Sequence, residues 1–177
     1  TMGFPLFSSS ISSLFYKLFK LHINTQNTFY YKVVVSLLSH ELIKPLFNNK
    51  GVNYSDLIIE KISKENIVNI SLDFLITNLS SNKQLINLLF KDWSDNVENA
   101  ISNSKELILT IRDSLLIKER EEVLTVEHLY RFNEIFNELD YLRKRFKFVS
   151  SIKLLFELFQ DIVKNEKLKF NSESFSK

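Results

Sequence analysis

Turn-forming residues are scarce in this chain. Glycine and proline each occur only twice among the 177 residues. Tight turns between strands depend on residues that adopt a positive or a fixed φ, and these two types supply many of them. The scarcity therefore argues against an all-β fold with many turns. It also excludes the glycine-rich phosphate loops of nucleotide-binding proteins, because Gly3 and Gly51 are isolated and far apart.

Apolar residues recur at spacings of three and four along most of the chain, which predicts helices. In the first helix Ile11, Leu14, Phe15 and Leu18 share one face and follow the potential N-cap serines 8–10. Valines 33–35 have the composition of a strand but stand inside a longer helical pattern, so we place them in a helix. The predicted helices cover about residues 8–23, 28–43, 55–62, 66–79, 83–93, 94–121, 125–146 and 150–168. The polar pairs Ser55-Asp56 and Ser150-Ser151 and the single Thr125 are further candidate N-caps, and Ser102-Asn103-Ser104 is a candidate break in the sixth helix.

This pattern predicts an all-α protein of about eight helices. Two architectures fit: an irregular helical bundle, or a short HEAT/armadillo-like stack of helix pairs, since consecutive pairs span repeat-like lengths. No repeat is visible at the level of residues. We expect residues 1–170 to form a single all-helical domain and residues 171–177 to form a frayed polar tail.

Charge is unevenly distributed although the net charge is only +2. Residues 1–50 carry five lysines and one acid, and residues 141–177 carry nine bases and four acids. The acids concentrate between these two basic ends. In an elongated fold the ends would form basic poles that steer charged partners.

The chemistry available for catalysis or metal binding is limited. The chain has no cysteine, and His22, His40 and His128 are isolated from one another in sequence. The acids at 119, 121 and 122, and the pair Glu134 and Glu138, fall on polar helix faces and lack the Glu-x-x-His motif of di-metal bundles. We therefore predict no enzymatic activity, no cofactor and no metal.

A basic cluster near the C-terminus is the strongest local feature. Aromatic residues flank it at 141 and 148, so it would suit phosphates with stacked bases, an acidic protein partner, or a nuclear transport receptor. Bases in the last turns of a helix also complement its dipole. As partner-binding residues we single out the members of this cluster: Arg143, Lys144, Arg145, Phe146 and Lys147.

The N-terminal segment is the second feature. Residues 1–40 contain no acid, and they include Lys17, Lys20 and Lys32 together with an amphipathic helix rich in Phe and Leu. Such a helix would lie on a membrane surface or pack in the core, and we favour the core. Trp93 follows leucines at helical spacing, so we place it in the core too.

These observations favour a non-enzymatic protein–protein interaction domain, a scaffold or adaptor of a larger intracellular complex, cytoplasmic or nuclear. It would bind a partner segment in an apolar groove between helices. One alternative is nucleic-acid binding by the basic C-terminal region, with Lys17, Lys20 and Lys32 converging on the same face. A second alternative is peripheral membrane association through the N-terminal helix.

Overall fold

The computed structural model describes residues 6–23, 27–117, 123–145, 147 and 149–176, without the side chains of 116, 117, 123, 124 and 166–176. Within this part the fold is an all-α helical bundle, as predicted. Its eight α-helices are α1 (Ser10–Ile23), α2 (Tyr31–Leu38), α3 (Tyr54–Lys64), α4 (Leu72–Asn78), α5 (Lys83–Phe90), α6 (Val97–Ile117), α7 (Val123–Arg145) and α8 (Ile152–Ser176). The 170/171 domain boundary and the frayed tail stay predictions.

Two antiparallel ladders of very short strands accompany the helices. One joins β1 (Thr28–Tyr30) to β4 (Asn69–Ser71), and the other joins β2 (Asn48–Asn49) to β3 (Val52–Asn53). The β1–β4 ladder shortens two of the predicted helices. The helix expected over 28–43 is strand β1 followed by α2, and the helix expected over 66–79 is strand β4 followed by α4.

Short polar side chains start several helices, because their oxygens accept hydrogen bonds from N–H groups that lack a partner within the helix. Ser9 accepts from the N–H of Ser12 at the start of α1, and Ser151 accepts from Leu154 at the start of α8. Both caps were predicted. At α3 the prediction was wrong, since Asn53 caps the helix in place of Ser55. Thr125 lies inside α7, which begins at Val123.

An aromatic cluster joins the N-terminal helix to the C-terminal ones. The ring of Phe15 in α1 lies 5.0 Å from that of Phe136 in α7, and the ring of Phe19 lies 4.9 Å from that of Phe159 in α8. All four rings are buried. In a stack of helix pairs each unit contacts only its neighbours along the chain. The packing of α1 on α7 and α8 therefore defines an irregular bundle.

The apolar face of α1 is part of this core. Ile11, Leu14, Phe15 and Leu18 are all buried, as the sequence predicted. A membrane surface would reach this face only if α1 left the bundle. Of the helices in the described part of the chain, none has the length and apolar character needed to cross a membrane.

Candidate functional site

A groove of about 480 Å³ lies between α1, the strand β1 and the first turns of α2. Ligand sites typically have volumes of this order, mostly apolar walls and a few polar groups. We call it the lysine groove. Its lining residues are Lys17, Lys20, Leu21, Thr28, Phe29, Tyr30, Lys32, Val33 and Ser36.

Three lysines line the lysine groove. Lys17 and Lys20 lie three residues apart in α1, a spacing that places them on the same helix face, and Lys32 reaches the groove from α2. The Lys17 ammonium donates a hydrogen bond to the hydroxyl of Ser36, which ties α1 to α2. Lys20 and Lys32 are exposed. These two are therefore free to meet a ligand from solvent.

The charged residues that line the lysine groove are all positive. None of its described lining residues is acidic. The start of α2 carries no side-chain cap and no acid in its first turn, so the positive end of the helix dipole adds to the three lysines. The charge of Lys17 also affects His40. Burial is the main cause that lowers the pKa of His40 below its ordinary value, and the charge of Lys17 is the second. The groove is suited to anionic groups.

The walls of the lysine groove are apolar and aromatic. Phe29 packs inward against Phe90, with ring centroids 5.4 Å apart. Tyr30 contacts Tyr31 edge-on at 4.9 Å and keeps 48% of its surface exposed. An apolar side chain or a planar ring of a ligand would therefore find contacts beside the lysines.

The basic cluster lies elsewhere, at the C-terminal end of α7. Arg143 donates to Asp140 at 2.8 Å, and Lys144 lies 3.1 Å from the other oxygen of the same carboxylate. Burial raises the pKa of Asp140, but the hydrogen bonds from Arg143 and Lys144 outweigh it and hold the pKa below its usual value. Arg145 donates to the hydroxyl of Tyr141 at 3.2 Å. Phe146 and Phe148 lie outside the described residues.

Acids also face the cluster from another element. Asp95 and Glu98 line a cleft of about 390 Å³ together with Arg143 and Lys147. Asp95 accepts a hydrogen bond of 2.9 Å from the N–H of Ile152, at the start of α8. Asp140, Asp95 and Glu98 thus offset part of the positive charge of the cluster. No residue of the cluster lines the lysine groove within the described part of the chain, although the nucleic-acid hypothesis required one shared face.

His22 and Trp93 form a buried stack. Their rings lie 4.0 Å apart and nearly parallel, at an interplanar angle of 11°. The Nε2 of His22 lies 2.9 Å from the carbonyl oxygen of Leu89. Burial lowers the pKa of His22 from 6.5 to about 4, against smaller opposing effects of this hydrogen bond and of Asp92. Trp93 is 1% exposed, in the core as expected.

The remaining histidines and acids considered for catalysis or metal binding include His128 and Glu134. Burial lowers the pKa of His128, and Glu134 is paired with Arg131. The acids at 119, 121 and 122 lie outside the described residues. Elsewhere in the described chain, no three His, Asp or Glu side chains gather closely enough to hold a metal ion.

A second groove of about 430 Å³ is mostly apolar and lies between α2 and the end of α3. Its walls include Val35, Ile59 and Val68, of which Val68 is 53% exposed. It resembles the apolar inter-helix groove that the sequence led us to expect. Its described lining residues carry no charge, so it offers no electrostatic basis for choosing a ligand.

Comparison with known proteins gave no match to the chain, whether to a family model, to a curated protein or to a solved structure. Function is therefore argued from the lysine groove itself. The sequence drew attention to Lys17, Lys20 and Lys32 through the lack of acids in residues 1–40. It did not show that β1 would complete a groove around them, because strand pairing with residues 69–71 leaves no local signal.

Proposed function

We propose that the chain is a non-enzymatic protein-interaction domain that binds an acidic segment of a partner protein in the lysine groove. It would act as a scaffold or adaptor in a larger intracellular assembly, cytoplasmic or nuclear. The observation that supports this proposal is the convergence of Lys17, Lys20 and Lys32 on a groove without acidic lining. Charge complementarity of this kind steers partners and sets their orientation.

The apolar walls favour a protein segment over a nucleic acid. The lining of the groove, which includes Leu21, Phe29 and Val33, exposes more apolar than polar surface, and this suits a peptide with alternating acidic and apolar side chains. The affinity of a protein for a nucleic-acid backbone grows with the number of phosphates that its lysines and arginines neutralise. The groove supplies three lysines, and the basic cluster that would extend the track is partly paired with Asp140.

Nucleic-acid binding remains the second candidate because of one specific observation. Tyr30 and Phe29 lie beside the lysines, and aromatic rings beside cations form stacking platforms for single-stranded bases. On this alternative the same groove would bind single-stranded nucleic acid. The following experiment therefore compares both kinds of ligand.

The proposal predicts that charge reversal in the groove weakens binding of an acidic peptide. The probe is a fluorescein-labelled peptide of alternating glutamate and valine, measured by fluorescence anisotropy. Lys20→Glu with Lys32→Glu should lower the affinity by about tenfold or more, because two attractive charges become repulsive. The affinity of the wild-type protein should also fall with added salt.

The matched control reverses two exposed lysines outside the groove, Lys83→Glu with Lys153→Glu, and changes the net charge equally. It should retain near wild-type affinity. Equal losses in both variants would mean that only net charge matters, and the proposal would be wrong. Tighter binding of an oligothymidine, again sensitive to Lys20 and Lys32, would establish the second candidate instead.

A further inference from the structure

Among the described residues, one edge of strand β1 has no strand partner. In the described part of the chain β1 pairs only with β4, with Thr28 opposite Ser71, Phe29 opposite Ile70 and Tyr30 opposite Asn69. The N–H of Tyr31 donates to the carbonyl of Val68 at 2.8 Å, which continues the same register. Hydrogen-bonded and non-hydrogen-bonded pairs alternate in an antiparallel ladder.

This alternation determines where the polar groups of β1 point. Because Tyr31 is bonded to its partner, Phe29 forms the next hydrogen-bonded pair, and Thr28 and Tyr30 stand at non-hydrogen-bonded positions. Main-chain groups at such positions point away from the partner strand. The carbonyl of Tyr30 is directed into α2, since Tyr30 is the N-cap of that helix. The N–H and carbonyl of Thr28 and the N–H of Tyr30 therefore lie on the free edge.

The lysine groove runs along this free edge. Successive side chains of a strand point to opposite faces, so a cavity on one face of the sheet would contact Thr28 and Tyr30 or else Phe29. The groove contacts all three consecutive residues and no residue of β4. A cavity with that lining follows the edge of β1 that faces away from β4.

From this arrangement we infer that the partner's acidic segment binds as an extended strand added to the free edge of β1. The inference rests on the proposed function and specifies the conformation of the bound segment. Main-chain hydrogen bonds to Thr28 and Tyr30 would hold the segment. Alternate side chains would then point into the groove, where carboxylates meet Lys20 and Lys32 and an apolar side chain contacts Phe29.

The lysines make the edge selective. An unpaired strand edge can pair with any extended chain, and lysines placed along it repel a second copy of the same basic segment. An acidic strand converts this repulsion into attraction. Lys17, Lys20 and Lys32 would thus discourage self-association and favour an acidic partner.

The backbone at Tyr30 offers a direct test. Tyr30 has φ −63° and ψ 133°, which proline adopts without strain, and residue 29 is extended as a residue before proline prefers. Tyr30→Pro removes the N–H that the added strand would accept from, and Tyr30→Ala removes the same side chain but keeps the N–H. Any difference between these two variants reports on the main-chain hydrogen bond.

With the glutamate–valine peptide as probe, Tyr30→Pro should bind about threefold to tenfold more weakly than Tyr30→Ala, the range expected for one lost hydrogen bond. In the wild-type protein, the peptide should also slow amide hydrogen exchange at Thr28 and Tyr30, measured by NMR. Circular dichroism and thermal unfolding confirm that both variants are folded.

The possible outcomes distinguish strand addition to β1 from the proposed function. Suppose that binding depends on the lysines, but Tyr30→Pro and Tyr30→Ala bind equally and exchange at Thr28 and Tyr30 is unchanged. Strand addition would then be wrong, and the proposed function would still stand. If either variant fails to fold, the exchange measurement on the wild-type protein decides. Absence of peptide binding, or binding that does not depend on Lys20 and Lys32, would overturn both.

Discussion

At the scale of single residues, His22 is the titratable group on which stability depends most clearly. It is 2% exposed, stacked on Trp93 and within hydrogen-bond distance of the Leu89 carbonyl. A neutral imidazole satisfies that carbonyl by donating from Nε2. A second proton would place a charge in an apolar environment, with Asp92 as the acid that partly offsets it. The folded state therefore strongly favours the neutral form.

The protein should consequently lose stability as the pH falls. The pKa of His22 is about 4 in the fold against 6.5 ordinarily, so the unfolded chain binds the proton more tightly. The stabilisation is complete above the unfolded pKa and is lost as the pH falls towards the folded one. At 1.36 kcal/mol per pKa unit, the free energy of unfolding should drop by about 2 kcal/mol between about pH 7 and about pH 5.

Urea unfolding at both pH values, compared between wild type and His22→Gln, measures this contribution. Glutamine keeps a donor for Leu89 but does not titrate, so the variant should lose about 2 kcal/mol less between the two pH values. His40 and His128 remain in both proteins, and their lowered pKa values therefore cancel in the comparison. Equal pH dependence in the two proteins would contradict the assignment to His22.

The residues of the candidate site were only partly predictable from the sequence. The lysines of the groove were noticeable because no acid accompanies them in residues 1–40. Their convergence depends on α1 packing beside β1 and α2, which is a tertiary fact. The basic cluster was equally noticeable, yet Asp95, which lines the same cleft, lies far away in sequence. Local patterns identify charged residues but not the charges that face them.

At the scale of elements, helix periodicity predicted α1 and α5–α8 well, because apolar residues at spacings of three and four form one buried face. It failed where a strand precedes a helix. Residues 28–30 and 69–71 are too short to show alternation, and they are strands only because they pair with each other across about forty residues of sequence. Ser102, Asn103 and Ser104 did not interrupt α6, since its buried face continues through Ser104.

A tertiary cap should contribute measurably to α8. Asp95 has φ 51° and accepts the N–H of Ile152 from outside the helix. Asp95→Ala removes the acceptor and places alanine in a left-handed conformation, so the free energy of unfolding should fall by about 1–2 kcal/mol. Asp95→Asn keeps an oxygen acceptor and tolerates this φ, and it should lose much less.

Thermal or urea unfolding of these two variants measures the cap. Because asparagine also removes the charge of Asp95, its comparison with alanine separates hydrogen bonding and backbone strain from electrostatics. A loss in Asp95→Asn as large as that in Asp95→Ala would show that the carboxylate charge, facing Arg143 and Lys147 in the cleft, is what matters.

At the scale of the whole molecule, the two ends of the chain share one core. Phe159 of α8 contacts the rings of Phe15 and Phe19 in α1 and those of Phe132 and Phe136 in α7. The lysine groove is built on the outer side of the same α1. The position of Lys17 and Lys20 therefore depends on packing against the C-terminal helices, and the groove requires the intact bundle.

Phe159→Ala should for this reason destabilise the whole protein and not α8 alone. Removing a buried phenylalanine ring typically costs about 3–5 kcal/mol, since the cavity left behind collapses only partly. Far-UV circular dichroism reports on all helices, and the fluorescence of Trp93 reports on the stack with His22 in α1. Both urea transitions should shift together to lower concentration, because α1 and α8 unfold as a unit.

The control is Leu154→Ala, on the same helix but 40% exposed, which should shift the two transitions little. Should Phe159→Ala not fold, Phe159→Leu removes fewer atoms and should move both transitions in the same direction. A shift seen by circular dichroism but not by Trp93 fluorescence would show that α8 unfolds separately, and the groove would then not depend on it.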